Sequence, residues 1–400
     1  MRVCFHLRER VHAAMYMRVC KFTLEIFVAI PLCMLFSFNS GCGADKSVRY
    51  YNLGLEAAKR DDYAEAVELW NEAVKYRPDD PETRYNLGAA LIAMKRYADA
   101  EAHLREAVAL NPLDADAHQL LGKSLEEQEK LPEAKNAYGF ALDIKPTHVP
   151  SLIGLAAIAL KEDQNRSAEN HATQAVSLDP GNLEANMLLS EAYFRNGDFN
   201  SAYGQILSAR KLGPVNASLF FLTGKIAYSR RMYADALDAL RSARALGSAT
   251  DELFCYLGLS NLALGDTGEA EKEFRLSIYK NRENAKAWKG LAETYIREKR
   301  WREAGEAVEQ AARIDPSDPG ILLDGAAVRM GTGDLSGAVR SLEALRTHSE
   351  YPSLTDYYLG HAYLRMGNNA QARAAFQRFI ERWEGDQALA EEAKTLIDRL

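Results

Sequence analysis

The chain has 400 residues, 47% of them hydrophobic and 26% charged, a composition that builds a buried core and excludes a disordered chain. Formal net charge is -7; residues 1–41 carry five basic and two acidic side chains, so the remaining 44 basic and 54 acidic ones give -10. With Lys and Arg nowhere clustered, that balance argues against nucleic acid as a main partner, because phosphate binding needs concentrated positive charge.

Residues 1–41 read as an export signal. Arg18 and Lys21 supply a basic stretch, Ile26 to Phe38 a short apolar run broken by Pro31, and Ser40-Gly41-Cys42-Gly43-Ala44 a small-residue end. The run falls short of the about 20 residues of a membrane span, and Met17 serves as a start as well as Met1. Ser40-Gly41-Cys42 resembles the lipobox of bacterial lipoproteins, although Asn39 stands where that family has an aliphatic residue. The resemblance implies a signal cleaved before Cys42, acylation of Cys42, and an anchor with a short linker over 42–46. Its acyl chains would exceed the two signals that stable membrane attachment needs. Gly43 in the next position implies sorting to an outer membrane, facing the periplasm. Two other readings stay open: cleavage after Ala44, which yields a soluble exported protein, and an uncleaved anchor. Cys4, Cys20 and Cys33 precede Cys42, so only Cys255 lies in the body. No disulfide framework is available, and Cys255 is expected to be a small buried side chain.

From Ser47 a 34-residue period organises the chain. Ten units, 47–80, 81–114, 115–148, 149–182, 183–216, 217–250, 251–284, 285–318, 319–352 and 353–386, follow one another without insertion. Position 8 is Gly, Ala or Ser in every unit, and position 20 is Ala in all of them, from Ala66 and Ala100 to Ala372. Positions 4, 7, 8 and 11 share one helical face, as do 20, 24 and 27, so each unit is predicted to be two amphipathic helices. Small residues at 8 and 20 allow the pair to approach to about 8–10 Å. Turn chemistry falls between the helices at Asp61-Asp62, Asn196-Gly197-Asp198, Gly265-Asp266 and Gly333-Asp334. Pro78, Pro112, Pro146, Pro180, Pro214 and Pro316 mark unit ends, where a ring without an N–H cannot continue a helix; Ser248, Arg282, Glu350 and Glu384 stand there in the other units with a departure. Residues 387–400 place Leu389, Ala393, Leu396, Ile397 and Leu400 at helical spacing and read as a capping helix.

Tyr50, Leu53, Gly54, Ala57, Ala66, Trp70, Ala73 and Pro78 in the first unit carry a pattern that returns as Trp288, Leu291, Ala292, Tyr295, Ala304, Val308, Ala311 and Pro316 in the eighth. It resembles the tetratricopeptide repeat. The resemblance implies an all-α fold, a right-handed superhelix (an α–α solenoid) of about ten helix-turn-helix repeats with a C-terminal cap helix. It also implies a non-enzymatic scaffold whose first helices line a concave groove for peptides or other proteins. In that family positions 2, 5, 9, 12 and 13 face the ligand. Here position 5 supplies Tyr51, Tyr85, Met187, Phe221 and Tyr357, and position 12 supplies Phe194 and Tyr228, as candidate groove residues. Ile153 and Leu323 at position 5 and Leu160 and Leu262 at position 12 are apolar too. The first helices therefore carry a second apolar face, which fits either a hydrophobic groove or packing between neighbouring first helices. A clamp for a C-terminal carboxylate is not expected: of Tyr51, Leu55, Asn86, Asp116 and Leu120, only Asn86 matches that subclass.

His103, His118, His148, His171, His348 and His361 are scattered, without ligand spacing or acidic partners, and read as surface or groove histidines. No phosphate-cradling loop, nucleophile elbow or metal motif occurs, so no catalytic residue, cofactor, metal or small-molecule substrate is expected. The reading is an interaction scaffold held through Cys42 at the cell envelope, as an outer-membrane lipoprotein facing the periplasm. The alternative is a soluble secreted or periplasmic binding module without the lipid.

Overall fold

The computed structural model describes residues 38–213, 216–347 and 351–400, with side chains from Asp45 onward. The signal stretch 1–37, Pro214, His348, Glu350 and the side chain of Cys42 lie outside the described residues. Among the described residues the chain forms 21 helices and no strand. It divides into two compact units, one ending at Ala192 and one starting at Tyr193.

The first unit contains the hairpins α1 (Phe38–Lys59) with α2 (Tyr63–Tyr76) and α3 (Pro81–Ala93) with α4 (Tyr97–Leu110). It continues with α5 (Ala115–Glu126) and α6 (Leu131–Ile144), α7 (Val149–Lys161) and α8 (Asn165–Leu178), and most of α9 (Leu183–Arg195). Because α1 begins at Phe38, residues 42–46 are helical rather than a linker. The second unit holds α10 (Phe199–Ala209), then α11 (Ala217–Ser229) with α12 (Tyr233–Ala245) and α13 (Asp251–Ala263) with α14 (Thr267–Lys280). After these come α15 (Ala285–Arg297) with α16 (Trp301–Ile314), α17 (Pro319–Thr332) with α18 (Leu335–Arg346), α19 (Leu354–Arg365) with α20 (Asn369–Arg382), and α21 (Gln387–Arg399).

Local chemistry explains the helix boundaries. Asp62, Asp198 and Asp266 each accept a hydrogen bond from the backbone N–H three residues on, at 3.0, 3.0 and 3.1 Å, satisfying a donor that the first turn leaves unpaired. Position 15 of every repeat is left-handed. Gly197, Gly265, Gly333 and Gly367 occupy it with φ of 78 to 92°, whereas Asp61, Lys95, Glu129, Asp163, Arg231 and Lys299 adopt φ of 56 to 60°. At Lys95 this lets the Arg96 N–H reach back to the Leu91 carbonyl at 2.8 Å, closing α3 before the chain reverses.

Packing follows the repeat. The ten alanines at position 20 are fully buried, from Ala66 to Ala372. The side chain at position 24 rests on the small residue at position 8: a Cβ on Gly54 would lie 2.4 Å from Trp70, and one on Gly88 2.4 Å from Leu104. Tyr138 and Phe274 are gripped from two sides. Gly122 and Gly258 of their own repeats lie on one, and Gly154 and Gly290 of the next repeats on the other, where a Cβ would come within 2.3 Å of each ring. In the first unit α3 also packs on α5 and α5 on α7; in the second, α11, α13, α15, α17 and α19 pack in succession. Each unit is therefore an α–α solenoid with its first helices forming one continuous face. At the far end α21 covers Phe376 and Phe379 with Ala393, as a cap must to end the stack.

Candidate functional site

Three of the candidate groove residues meet on the first-helix face of the second unit. Lys225 of α11 is buried, and its ammonium lies 5.2 Å from the ring centre of Phe194 and 5.4 Å from that of Phe221. It pairs with Glu252 of α13 at 3.0 Å. Tyr256, also on α13, meets Phe221 at 6.3 Å and Tyr228 at 5.6 Å, both edge-on. Lys286 of α15 stands 4.1 Å over the Tyr256 ring. A cation over an aromatic face is attracted by the ring quadrupole and gains most where water is excluded. Burial pushes the Tyr228 hydroxyl up to about 12, so it stays neutral. Phe194, Phe221 and Tyr228 remain half-buried, presenting ring surface around a fixed charge.

Sequence reasoning missed Lys225, Glu252, Tyr256 and Lys286. Lys225 occupies position 9, and Glu252 and Lys286 position 2, of the ligand-facing set, but an inventory of apolar residues at positions 5 and 12 passes over them.

The other candidates lie elsewhere. Tyr51 of α1 donates to Glu82 of α3 at 2.8 Å and accepts from Asn86 at 3.1 Å, tying the first two repeats together. Tyr85 on α3 and Met187 on α9 are half-buried in the first unit. Tyr357 donates to Glu392 of the cap helix at 3.0 Å and meets His361 edge-on at 4.5 Å. The second apolar face thus divides: Ile153, Leu160, Leu262 and Leu323 are buried between helices, whereas Phe194, Phe221 and Tyr228 stay partly open.

Further along the same face, Lys289 pairs with Asp318 at 3.0 Å and Arg297 with Glu293 at 2.7 Å. Asp324 of α17 has neither cation, and its carboxyl is pushed from an ordinary 3.8 up to about 7 by burial first and the Glu293 charge second. His148 corrects the expectation for the histidines. It is buried, with its ring nitrogens 2.9 Å from Ser151 Oγ and 3.0 Å from Asp116 Oδ1, because it sits where one repeat's end meets the next repeat's first helix. Burial pushes the Cys255 thiol up to about 12, so this inert side chain fills space. Among the described residues no group of His, Cys, Asp and Glu could hold a metal ion.

One tetratricopeptide repeat family model matches residues 57–123 and 261–323, and another matches residues 355–385. A model described as anaphase-promoting complex, cyclosome, subunit 3 matches residues 161–243. No curated protein matches the chain. Among solved structures, the APC/C hetero-tetramer Cut9–Hcn1 is 14% identical, with 89% of this chain and 91% of that chain covered at a TM-score of 0.52. That likeness concerns the fold alone. A tetratricopeptide repeat protein from Parabacteroides merdae is 18% identical over 62% of this chain and 98% of its own, at a TM-score of 0.49. YrrB, described as a TPR protein with an unusual peptide-binding site, is 20% identical over 47% and 97%, at 0.39. With paired helices repeating in a 34-residue period in each unit and these family matches, the chain belongs to the tetratricopeptide repeat proteins.

Proposed function

We propose that the protein is a non-enzymatic scaffold that holds peptide or helical segments of other proteins on its first-helix face, tethered to a membrane by lipid on Cys42. The fold itself supports protein–protein interaction. What carries the reading is the cluster of Phe194, Phe221 and Tyr228 around Lys225: half-buried aromatics beside a desolvated charge form the kind of anchor pocket that dominates binding energy at interfaces. The tether rests on Ser40-Gly41-Cys42 behind its apolar run. Among the described residues no helix is long and apolar enough to cross a membrane, so attachment in this reading falls to the lipid. Export to the cell envelope, on the periplasmic face of an outer membrane, and organisation of an envelope-associated complex there complete the proposal.

Changing Phe194, Phe221 and Tyr228 together to Ser, followed by affinity recovery from native membranes, tests the binding half. Partner recovery should fall at least about tenfold, the equivalent of about 1.4 kcal/mol, while the circular dichroism spectrum stays helical. Undiminished recovery by a folded variant would assign the aromatics to packing. Labelling with a fatty-acid analogue in the unmodified protein and in Cys42→Ala tests the tether; no label in either leaves the soluble exported module as the reading.

A further inference from the structure

The second unit carries another groove, on the side of the second helices. α14 presents Arg275, Ile278 and Tyr279 at helical spacing along one stripe, and α16 presents Glu303, Glu306, Gln310 and Arg313 along another. α15 lies beneath as a floor with Trp288, Leu291 and Tyr295. Cavities of about 610 and 560 Å³ share Arg275, Ile278, Trp288 and Gln310, so they form one trough. From Glu303 to Arg313 the wall is about 15 Å long at 1.5 Å per residue. Tyr279 stands 82% exposed on its rim, a large apolar surface that the described residues leave open.

Charge is divided along this length. The cavity nearer the α14–α15 turn is lined by Arg275, Arg282 and Arg313 with no carboxylate, and the adjoining one by Glu303, Glu306 and Glu309 against Arg275 alone. Part of that charge is already used. Arg275 binds Glu271 at 2.7 Å and Glu303 binds Arg300 at 2.5 Å, whereas Arg313 reaches Glu283 and Glu306 reaches Arg302, each at 3.3 Å in a pair exposed on both sides, contacts worth little in water. Arg282 makes no ion pair among the described residues. An oligonucleotide or an anionic lipid surface laid here would meet carboxylates over half the trough. A peptide can place opposite charges at its two ends.

We propose that the trough between α14 and α16 is a second docking site, for a partner's peptide segment with Asp or Glu at one end, an apolar or aromatic side chain over Trp288, and Lys or Arg at the other. It lies on different helix faces from the Lys225 cluster, so a single scaffold can hold two segments at once.

The test is selection of a displayed library of random peptides, each about ten residues long to match the 15 Å wall as a helix, on the full chain. Enriched peptides should carry acidic residues on one side of an apolar residue and basic residues on the other. A synthetic, fluorescein-labelled version should bind the Arg282→Glu, Arg313→Glu double variant at least tenfold more weakly. A version with its acids replaced by Lys should regain affinity for that variant. Both arginines are exposed, so the variant keeps its fold, and Glu306→Lys gives an independent loss towards the other end. Binding should survive the Phe194, Phe221, Tyr228 triple Ser change. Enrichment without this charge order, affinity unchanged in the double variant, or displacement of the peptide by a single-stranded oligonucleotide or phosphatidylglycerol vesicles at lower concentration overturns the proposal.

Discussion

Two glycine-to-alanine substitutions, one in open space and one against a buried ring, should have opposite effects. Gly139 and Gly154 both lie inside helices, α6 and α7, where replacing Gly by Ala gains roughly 0.5–1 kcal/mol of backbone entropy. At Gly139 nothing lies within 4 Å of the new Cβ, so Gly139→Ala should stabilise the protein by up to about 1 kcal/mol. At Gly154 the Cβ would sit 2.3 Å from Tyr138 Cζ, more than an ångström inside normal carbon contact at about 3.5–4.0 Å. Tyr138 has no way to yield, since Gly122 backs its other side and its hydroxyl donates to Glu126 at 2.9 Å. Overpacking of this kind costs about 1–3 kcal/mol; with the ring immobile, the upper part of that range applies and exceeds the entropic gain. Gly154→Ala should lose about 1–2 kcal/mol net. Urea unfolding followed by far-ultraviolet circular dichroism reads both, and Tyr138→Leu added to Gly154→Ala should recover part of the loss. Midpoints that move in the same direction for the two single variants would refute the reasoning.

Asp324 offers a pH test. Its folded-state pKa of about 7 lies above its ordinary 3.8, so the folded state holds the proton more tightly, and stability is lost as pH rises from about 4 to about 7. Asp324→Asn removes the ionisation: the variant should gain on the unmodified protein by up to about 1.4 kcal/mol per pH unit across that window, and parallel stability curves would contradict this. Position 15 gives another pair. Gly333→Ala, in open space at φ 92°, should cost about 1 kcal/mol through backbone strain alone, whereas Lys95→Gly at φ 60° relieves such strain and should gain up to about 1 kcal/mol, both read from urea midpoints.

The fold was legible because close approach of two helices leaves few choices at its contact points. Ala100 and its nine counterparts at position 20 are fully buried, and a residue that must vanish between helices repeats visibly along a chain. Turns were legible where glycine or paired Asp marked them: Asp61-Asp62, Gly197, Gly265 and Gly333 announced a reversal, while Lys95, Glu129 and Arg231 adopt the same left-handed backbone without any compositional sign. The site was harder to see. Phe221 and Tyr228 stood out as aromatics at ligand-facing positions, but Lys225 looked like any surface lysine, since its burial comes from Phe194 and Tyr256, which other helices deliver. The trough on the other side escaped notice for a related reason: Arg275, Trp288 and Arg313 come from three different helices, and only the stacking of α14, α15 and α16 puts them around one cavity.

Position 6 is glycine only at Gly154 and Gly290, and at both a ring from the preceding repeat is lodged in the next one. A key seated in its neighbour cannot be withdrawn while either partner stays shut. Pulled from its ends or attacked by a protease, the array should therefore not fray repeat by repeat, as weakly coupled arrays do. The third and fourth repeats would give way together, and so would the seventh and eighth.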